Sequence, residues 1–173
     1  MNEEWLNDSH IGLLHDFICT DQEGNDQVQF FLQEESFKLM EGNLVRTRLL
    51  INESNKLVGF YSLFNNIIKI NKNKRKELDI ILPQGVKEIP AIRLYYIGVA
   101  TKFQGLGYGD RLMASILYPC AAVSQISGCS LLTVESTENA VGFYEKYGFE
   151  HIRREGNHVI MGMNTKGLQK LLD

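Results

Sequence analysis

The sequence predicts an α/β fold built on a mixed sheet, and three observations carry that prediction. A strongly apolar, β-prone run, AIRLYYIGVA (91–100), has the look of a central buried strand. It leads at once through a glycine-rich loop into a stretch of helical periodicity. A second such run, SLLTVES (130–136), is followed by another helical stretch and then a hairpin. The order strand, glycine loop, helix, strand, helix, strand, strand is an α/β plan.

Taken in chain order, the first fifteen residues are mixed and say little. Residues 16–20 (DFICT) suit a short edge strand, and 21–25 a turn with Gly24 and Asn25 as breakers. From 26 to 40, Val28, Phe30, Phe31, Phe37 and Leu39 are spaced loosely as on a helix, and Gly42 with Asn43 supplies its stop. LVRTRLLIN (44–52) alternates as a half-buried strand does. ESNK (53–56) is a turn and LVGFYSLF (57–64) the hairpin partner. A polar segment, 71–79, with Pro83 and Pro90 beyond it, predicts a long connection carrying some helix. After the strand at 91–100, Leu112, Met113, Ile116, Leu117, Val123 and Ile126 give a long helix over 110–127. Pro119 is expected to kink or interrupt it, and Gly128 to stop it. Residues 130–136 are the next central strand. A helix follows over 137–148, with Ala140, Phe143 and Tyr147 at helical spacing, and then a hairpin over 149–164 that turns near 155–157.

The bulk numbers bound the function. A chain of 173 residues fits one domain, 1–173, with a real core. A net charge of −3 argues against coating nucleic acid through bulk positive charge, though not against a local basic patch. Cys19, Cys120 and Cys129 are odd in number and form no close pair, so a disulfide framework is not expected and a reducing cytoplasm is the default. His10, His15, His151 and His158 lack metal-ligand spacing, so no metal is expected and all four read as structural or surface residues. No apolar run is long enough to cross a bilayer, and the acidic start MNEEWLNDSH lacks the apolar region of a secretory signal.

Gly105, Gly107 and Gly109 stand between a buried strand and a helix, where glycine lets backbone approach a ligand closely. The unpaired N–H groups at the helix start and the helix dipole favour a phosphate there. The spacing is not GxGxxG, because Asp110 occupies the third glycine's place, and no GK[ST] follows to make a P-loop. A tight strand-to-helix turn without a ligand is the alternative.

At this point the sequence resembles the GNAT superfamily of acyl-CoA N-acyltransferases. The residues that carry the resemblance are Gln104-Gly105-Leu106-Gly107-Tyr108-Gly109, matching [QR]xxGx[GA], and AVGFYEKYGF (140–149), matching A-x-x-[FL]-Y-x-x-x-GF. The strongest match covers 91–163. The resemblance implies a mixed, mostly antiparallel sheet flanked by helices, with acetyl-CoA as co-substrate and a bulged strand at 94–100 bonding its pantetheine arm. Gln104, Gly105, Leu106, Gly107, Tyr108 and Gly109 would hold the pyrophosphate, and Ile97 and Val99 the pantetheine and the acetyl carbonyl through backbone atoms. Tyr144 would protonate the leaving thiolate. Such transfer needs alignment, an oxyanion donor and an acid for sulfur. Many relatives carry asparagine where Thr137 stands, and Asn139 is out of register. Glu135, at a strand end, is a candidate general base; the alternative is an exposed strand-end carboxylate.

Residues 17–35, 59–63 and 89–100 resemble, more loosely, the GNAT toxins of toxin–antitoxin pairs, which acetylate aminoacyl-tRNA. That reading needs cations for phosphates. Five of the 18 Lys/Arg fall in 69–76, namely Lys69, Lys72, Lys74, Arg75 and Lys76, against the alternative of a solvated loop. Three functions therefore stand at the level of sequence: acetylation of a small or peptide amine, acetylation of aminoacyl-tRNA, or an inactive acyl-CoA-binding domain. The family resemblance also raises a homodimer.

Overall fold

A computed structural model describes residues 1–20 and 27–172. Its strands are β1 (Asn2–Trp5), β2 (Arg46–Ile51), β3 (Leu57–Lys69), β4 (Glu88–Val99), β5 (Leu131–Thr137), β6 (Glu150–Glu155) and β7 (His158–Asn164). They form one sheet in the order β1-β2-β3-β4-β5-β7-β6. The β1–β2, β2–β3, β5–β7 and β6–β7 pairs are antiparallel and β4–β5 is parallel. The helices are α1 (Ile11–His15), α2 (Gln27–Phe30), α3 (Ser36–Glu41), α4 (Lys72–Glu77), α5 (Tyr108–Ser127) and α6 (Val141–Glu145). This is the mixed, mostly antiparallel α/β architecture expected.

The chain packs as two compact units, residues 1–64 with 95–116, and residues 65–94 with 117–173, so the divisions fall inside β3, β4 and α5. The first unit has an aromatic core. Phe17, Phe31 and Phe60 are fully buried with Leu14, Leu32 and Leu49, and Phe64, Tyr95, Tyr96 and Phe103 pack against them. The second unit is aliphatic, with Ile68, Leu78, Ile80, Ile89, Ala91, Leu131, Ile152 and Ile160 in one cluster.

Several elements differ from expectation, each for a physical reason. Residues 16–20 form no strand: the carbonyl of Ile18 accepts from Thr101 N–H and that of Cys19 from the Gln104 amide, so side chains and a loop use groups a ladder would have used. The turn expected at 21–25 lies outside the described residues. The helix expected at 26–40 is α2 and α3 joined by a π-helical stretch, Phe31–Glu35, a form that tends to occur where function demands it. Helix α5 runs unbroken through Pro119. Burial of Leu112, Met113, Ile116, Cys120 and Ala121 on both sides of the proline outweighs the cost of its missing hydrogen bond, about 3 kcal/mol. The helix expected at 137–148 is shorter, a 3₁₀ turn at Glu138–Ala140 followed by α6. Among the described residues no group of His, Cys, Asp or Glu could hold a metal, all three cysteines are free, and no helix is long and apolar enough to cross a membrane.

Candidate active site

The glycine loop lies in the first unit and is braced from one side. Ala100 N–H donates to Val58 O at 2.9 Å, and Thr101 N–H to Ile18 O at 2.8 Å. The Gln104 amide donates to Cys19 O at 2.9 Å and to Val99 O at 3.0 Å. The nitrogen of the signature's first residue is thus committed to fixing the loop's entry. Gly105 and Gly107 then take φ of +74° and +82°, the left-handed region that an L side chain avoids, and open space surrounds the position a Cβ would take at either. Successive backbone N–H groups in such turns form an anion-binding concavity. It runs directly into Tyr108 and Gly109, the first residues of a 20-residue helix. Leu106 is exposed, and the Tyr108 ring packs edge-on to Phe103. The residues present fit a pyrophosphate.

Strand β4 breaks its alternation just ahead of this loop. In a regular strand, Tyr95 and Tyr96 would point to opposite faces. Here both rings meet Phe31, with centroids 5.2 and 4.5 Å away, and lie 4.5 Å from each other. Beyond them, a Cβ on Gly98 would meet Val28, Phe60 and Phe17, on the same side as Phe31. The phase of the strand therefore shifts at 95–96, as at a β-bulge, and the ladder of β4 with β5 covers only Ala91–Leu94. Ile97 and Val99 follow the shift, both half-buried.

The second unit supplies side chains. Tyr144 on α6 is 7 % exposed, with its ring edge-on to Phe143 and Phe149. Burial pushes its hydroxyl up to about pKa 12. The proton is held at every physiological pH.

Glu135 has an arginine on one adjacent strand and a histidine on the other. One carboxylate oxygen is ion-paired with Arg93 of β4, and the other lies 3.5 Å from His158 Nδ1 of β7. Parallel pairing sets Arg93 opposite Thr133, and antiparallel pairing sets His158 opposite Thr137, so all three side chains share one face. Sequence reading named Glu135 and took His158 as a structural or surface residue; the positions of Arg93 and His158 beside Glu135 depend on strand register, which the sequence does not display. Thr137 and Asn139 are exposed, and Thr137 makes no side-chain cap to the turn that follows it. Of the basic residues, Lys69 pairs with Glu88, and Lys74 with Glu77 and Glu150; Lys72 and Lys76 are exposed on α4.

The glycine loop of the first unit and the buried tyrosine of the second are each the kind of group that acyl transfer from coenzyme A uses. Residues 47–151 match the model of the acetyltransferase (GNAT) domain, and the chain belongs to that family. It is an acyl-CoA-dependent N-acetyltransferase whose co-substrate is acetyl-CoA. Among curated proteins it is similar to a probable toxin TacT of Sinorhizobium fredii (strain NBRC 101917 / NGR234), at 25% identity over 143 residues, covering 78% of this chain and 76% of that one. Among solved structures it resembles a mutant of KacT, with a TM-score of 0.81, 22% identity and 98% of both chains covered. It also resembles AtaT complexed with acetyl-methionyl-tRNAfMet, with a TM-score of 0.79, 23% identity and 99% of both chains covered. Both structures share the fold.

Proposed function

We propose that this protein transfers the acetyl group of acetyl-CoA to the amino group of an aminoacyl-tRNA. The observation that carries the reading is the state of Glu135: its carboxylate is engaged by Arg93 and faces His158, which disfavours it as the strong base that a lysine-like ammonium would need. An α-amino group of pKa ~8 is neutral in a far larger fraction near pH ~7 than a lysine amine at ~10.4, and it asks for no base of that strength. The similarity to a probable toxin TacT, and to AtaT as complexed with acetyl-methionyl-tRNAfMet, points the same way. By the same analogy an antitoxin would be the protein partner and the cytoplasm the place of action.

In this mechanism the Gly105–Gly109 backbone holds the pyrophosphate, with Gln104 bracing the loop rather than donating to the phosphate. Backbone groups of Ile97 and Val99 hold the pantetheine and polarise the acetyl carbonyl. Acetyl-CoA, when bound, supplies an acetyl thioester and a thiolate leaving group. Tyr144 gives that sulfur a proton. Thr137 and Asn139, both exposed, would be the side chains nearest this turn to contact the cofactor.

One observation favours acetylation of a small or peptide amine instead. The acidic balance of the chain and the pairing of Lys69 and Lys74 with carboxylates leave less free positive charge for RNA. Radiolabelled acetyl-CoA added to the protein and a cell extract separates the two. Label in RNA that is released by mild alkaline deacylation supports the tRNA reading. Label confined to small molecules or protein overturns it.

A further inference from the structure

We infer that His158, oriented by Glu135, is the group that takes the proton from the attacking amine. The inference rests on the acetyl-transfer reading with Tyr144 as acid and adds the missing half of its proton balance.

His158 lies directly opposite Thr137, the last residue of β5, where the chain passes through the 3₁₀ turn toward α6 and Tyr144. In α/β sheets the carboxyl ends of parallel strands are where ligands are handled. The imidazole presents Nδ1 to Glu135 Oε1 at 3.5 Å, and the side chain is 40 % exposed, enough for an acceptor to reach Nε2. A carboxylate behind one ring nitrogen selects the tautomer that leaves the other free to accept a proton. The Arg93 ion pair anchors that carboxylate from the far side. The remaining charged groups near the imidazole are already partnered. Glu155, its direct neighbour across the hairpin, binds Arg153 at 2.7 Å, and Arg154 pairs with Glu138.

The contrast with the other His–Glu pair is instructive. His10 meets Glu4 at 3.2 Å, but it is 5 % exposed and its Nδ1 accepts from Asn7 N–H, so both nitrogens are used. That pair caps a turn. Among the described residues, the partly exposed ring of His158 has no such second hydrogen bond to the backbone of its own turn.

The balance closes. The amine nitrogen bonds to the acetyl carbon and the carbon–sulfur bond breaks. The sulfur keeps the bonding pair and takes the Tyr144 hydroxyl proton. The nitrogen gives up its proton to His158 Nε2, and exchange with water resets both side chains. His158 is then a catalytic residue and Glu135 a positioning residue.

Two measurements test this. Nitrogen-15 NMR of the free protein reads the tautomer. We expect His158 protonated on Nδ1, with that preference lost in Glu135→Gln and kept in Glu135→Asp. Kinetics over pH use methionyl-tRNA and spermidine, whose amines differ in basicity, so a limb belonging to the acceptor moves between them and a limb belonging to the enzyme stays. We expect His158→Gln to abolish the stationary acidic limb in kcat and to lower kcat by about 100-fold, the low end of acid–base contributions. The KM for acetyl-CoA should not move. Unchanged kcat in a folded His158→Gln protein overturns the inference, as does a His158 tautomer indifferent to Glu135→Gln. If the wild type acetylates spermidine but not methionyl-tRNA, the acceptor reading fails while His158 is still judged on spermidine.

Discussion

The two units of this molecule are built from different materials. The first is packed with rings: Phe17, Phe31, Phe60, Tyr95 and Tyr96 interlock over the end of β4, and what they hold in place is backbone. The second is packed with branched aliphatics and carries titratable side chains, Tyr144 among rings on α6 and Arg93, Glu135 and His158 on the sheet. On the proposed mechanism, the difference assigns holding the donor to the first unit and performing the transfer to the second. Changes in the first unit should alter binding and stability, and changes in the second should alter turnover.

The sharpest way to break that division is Tyr144→Phe. Loss of the acid should lower kcat by about 10²–10⁴, on the order of 3–5 kcal/mol, while the KM for acetyl-CoA stays put. A parallel rise in KM would mean that Tyr144 also holds the donor. The same residue has a pH signature. Its hydroxyl is pushed up to about pKa 12 from an ordinary value near 10, so folding favours the protonated form. The resulting stability is intact below about pH 10 and is lost as pH rises through 12, a loss of roughly 3 kcal/mol by linkage. Chemical denaturation at pH 7 and at pH 11 should show the wild type losing more than Tyr144→Phe. Equal losses would remove the buried hydroxyl from the account.

Glycines sharpen the comparison from the other side. At Gly59 an added Cβ would sit 2.7 Å from the Gly98 carbonyl and 2.9 Å from Leu112 Cδ1. Backbone cannot yield as a side-chain tip can, so Gly59→Ala should destabilise by about 1–3 kcal/mol, read as a fall in Tm of about 2–4 °C per kcal/mol. Gly107 has open space but a φ of +82°. There Gly107→Ala should cost about 1–2 kcal/mol, seen as an acetyl-CoA Kd raised roughly tenfold with kcat little changed. If Gly107→Ala instead lowers kcat alone, the loop does more than hold the donor.

How much of this was legible in the sequence follows from range. The glycine loop, the β4 and β5 strands and Tyr144 were readable because each is written in a short run of neighbouring residues. β1 was not, because Asn2–Trp5 has no apolar alternation and becomes a strand only by pairing with β2 at the sheet edge. The passage of α5 through Pro119 depends on burial around it, which outweighs local propensity. The phase shift at Tyr95–Tyr96 and the π-helical turn at Phe31 are two sides of one packing arrangement, and neither residue announces the other. Glu135 was visible as a carboxylate; its partners came from strands 42 residues before it and 23 after it, at a register only the folded sheet sets.

The smallest expected effect bears on the acceptor. Lys72 and Lys76 on α4 are exposed, whereas Lys69 and Lys74 are held by carboxylates. If α4 touches tRNA, Lys72→Gln with Lys76→Gln should raise KM for aminoacyl-tRNA a few-fold and reduce the slope of log affinity against log salt by about 1 for each phosphate contact removed. Transfer to spermidine should not change, because the chemistry of the second unit's sheet is untouched. An unchanged slope would make α4 a solvated face that keeps the protein in solution. In that case the cations that meet RNA would have to come from elsewhere, with Arg153 and Arg154 on β6 the next pair to neutralise, since each is partly exposed and ion-paired with a surface glutamate, Arg153 also donating to Lys69 O.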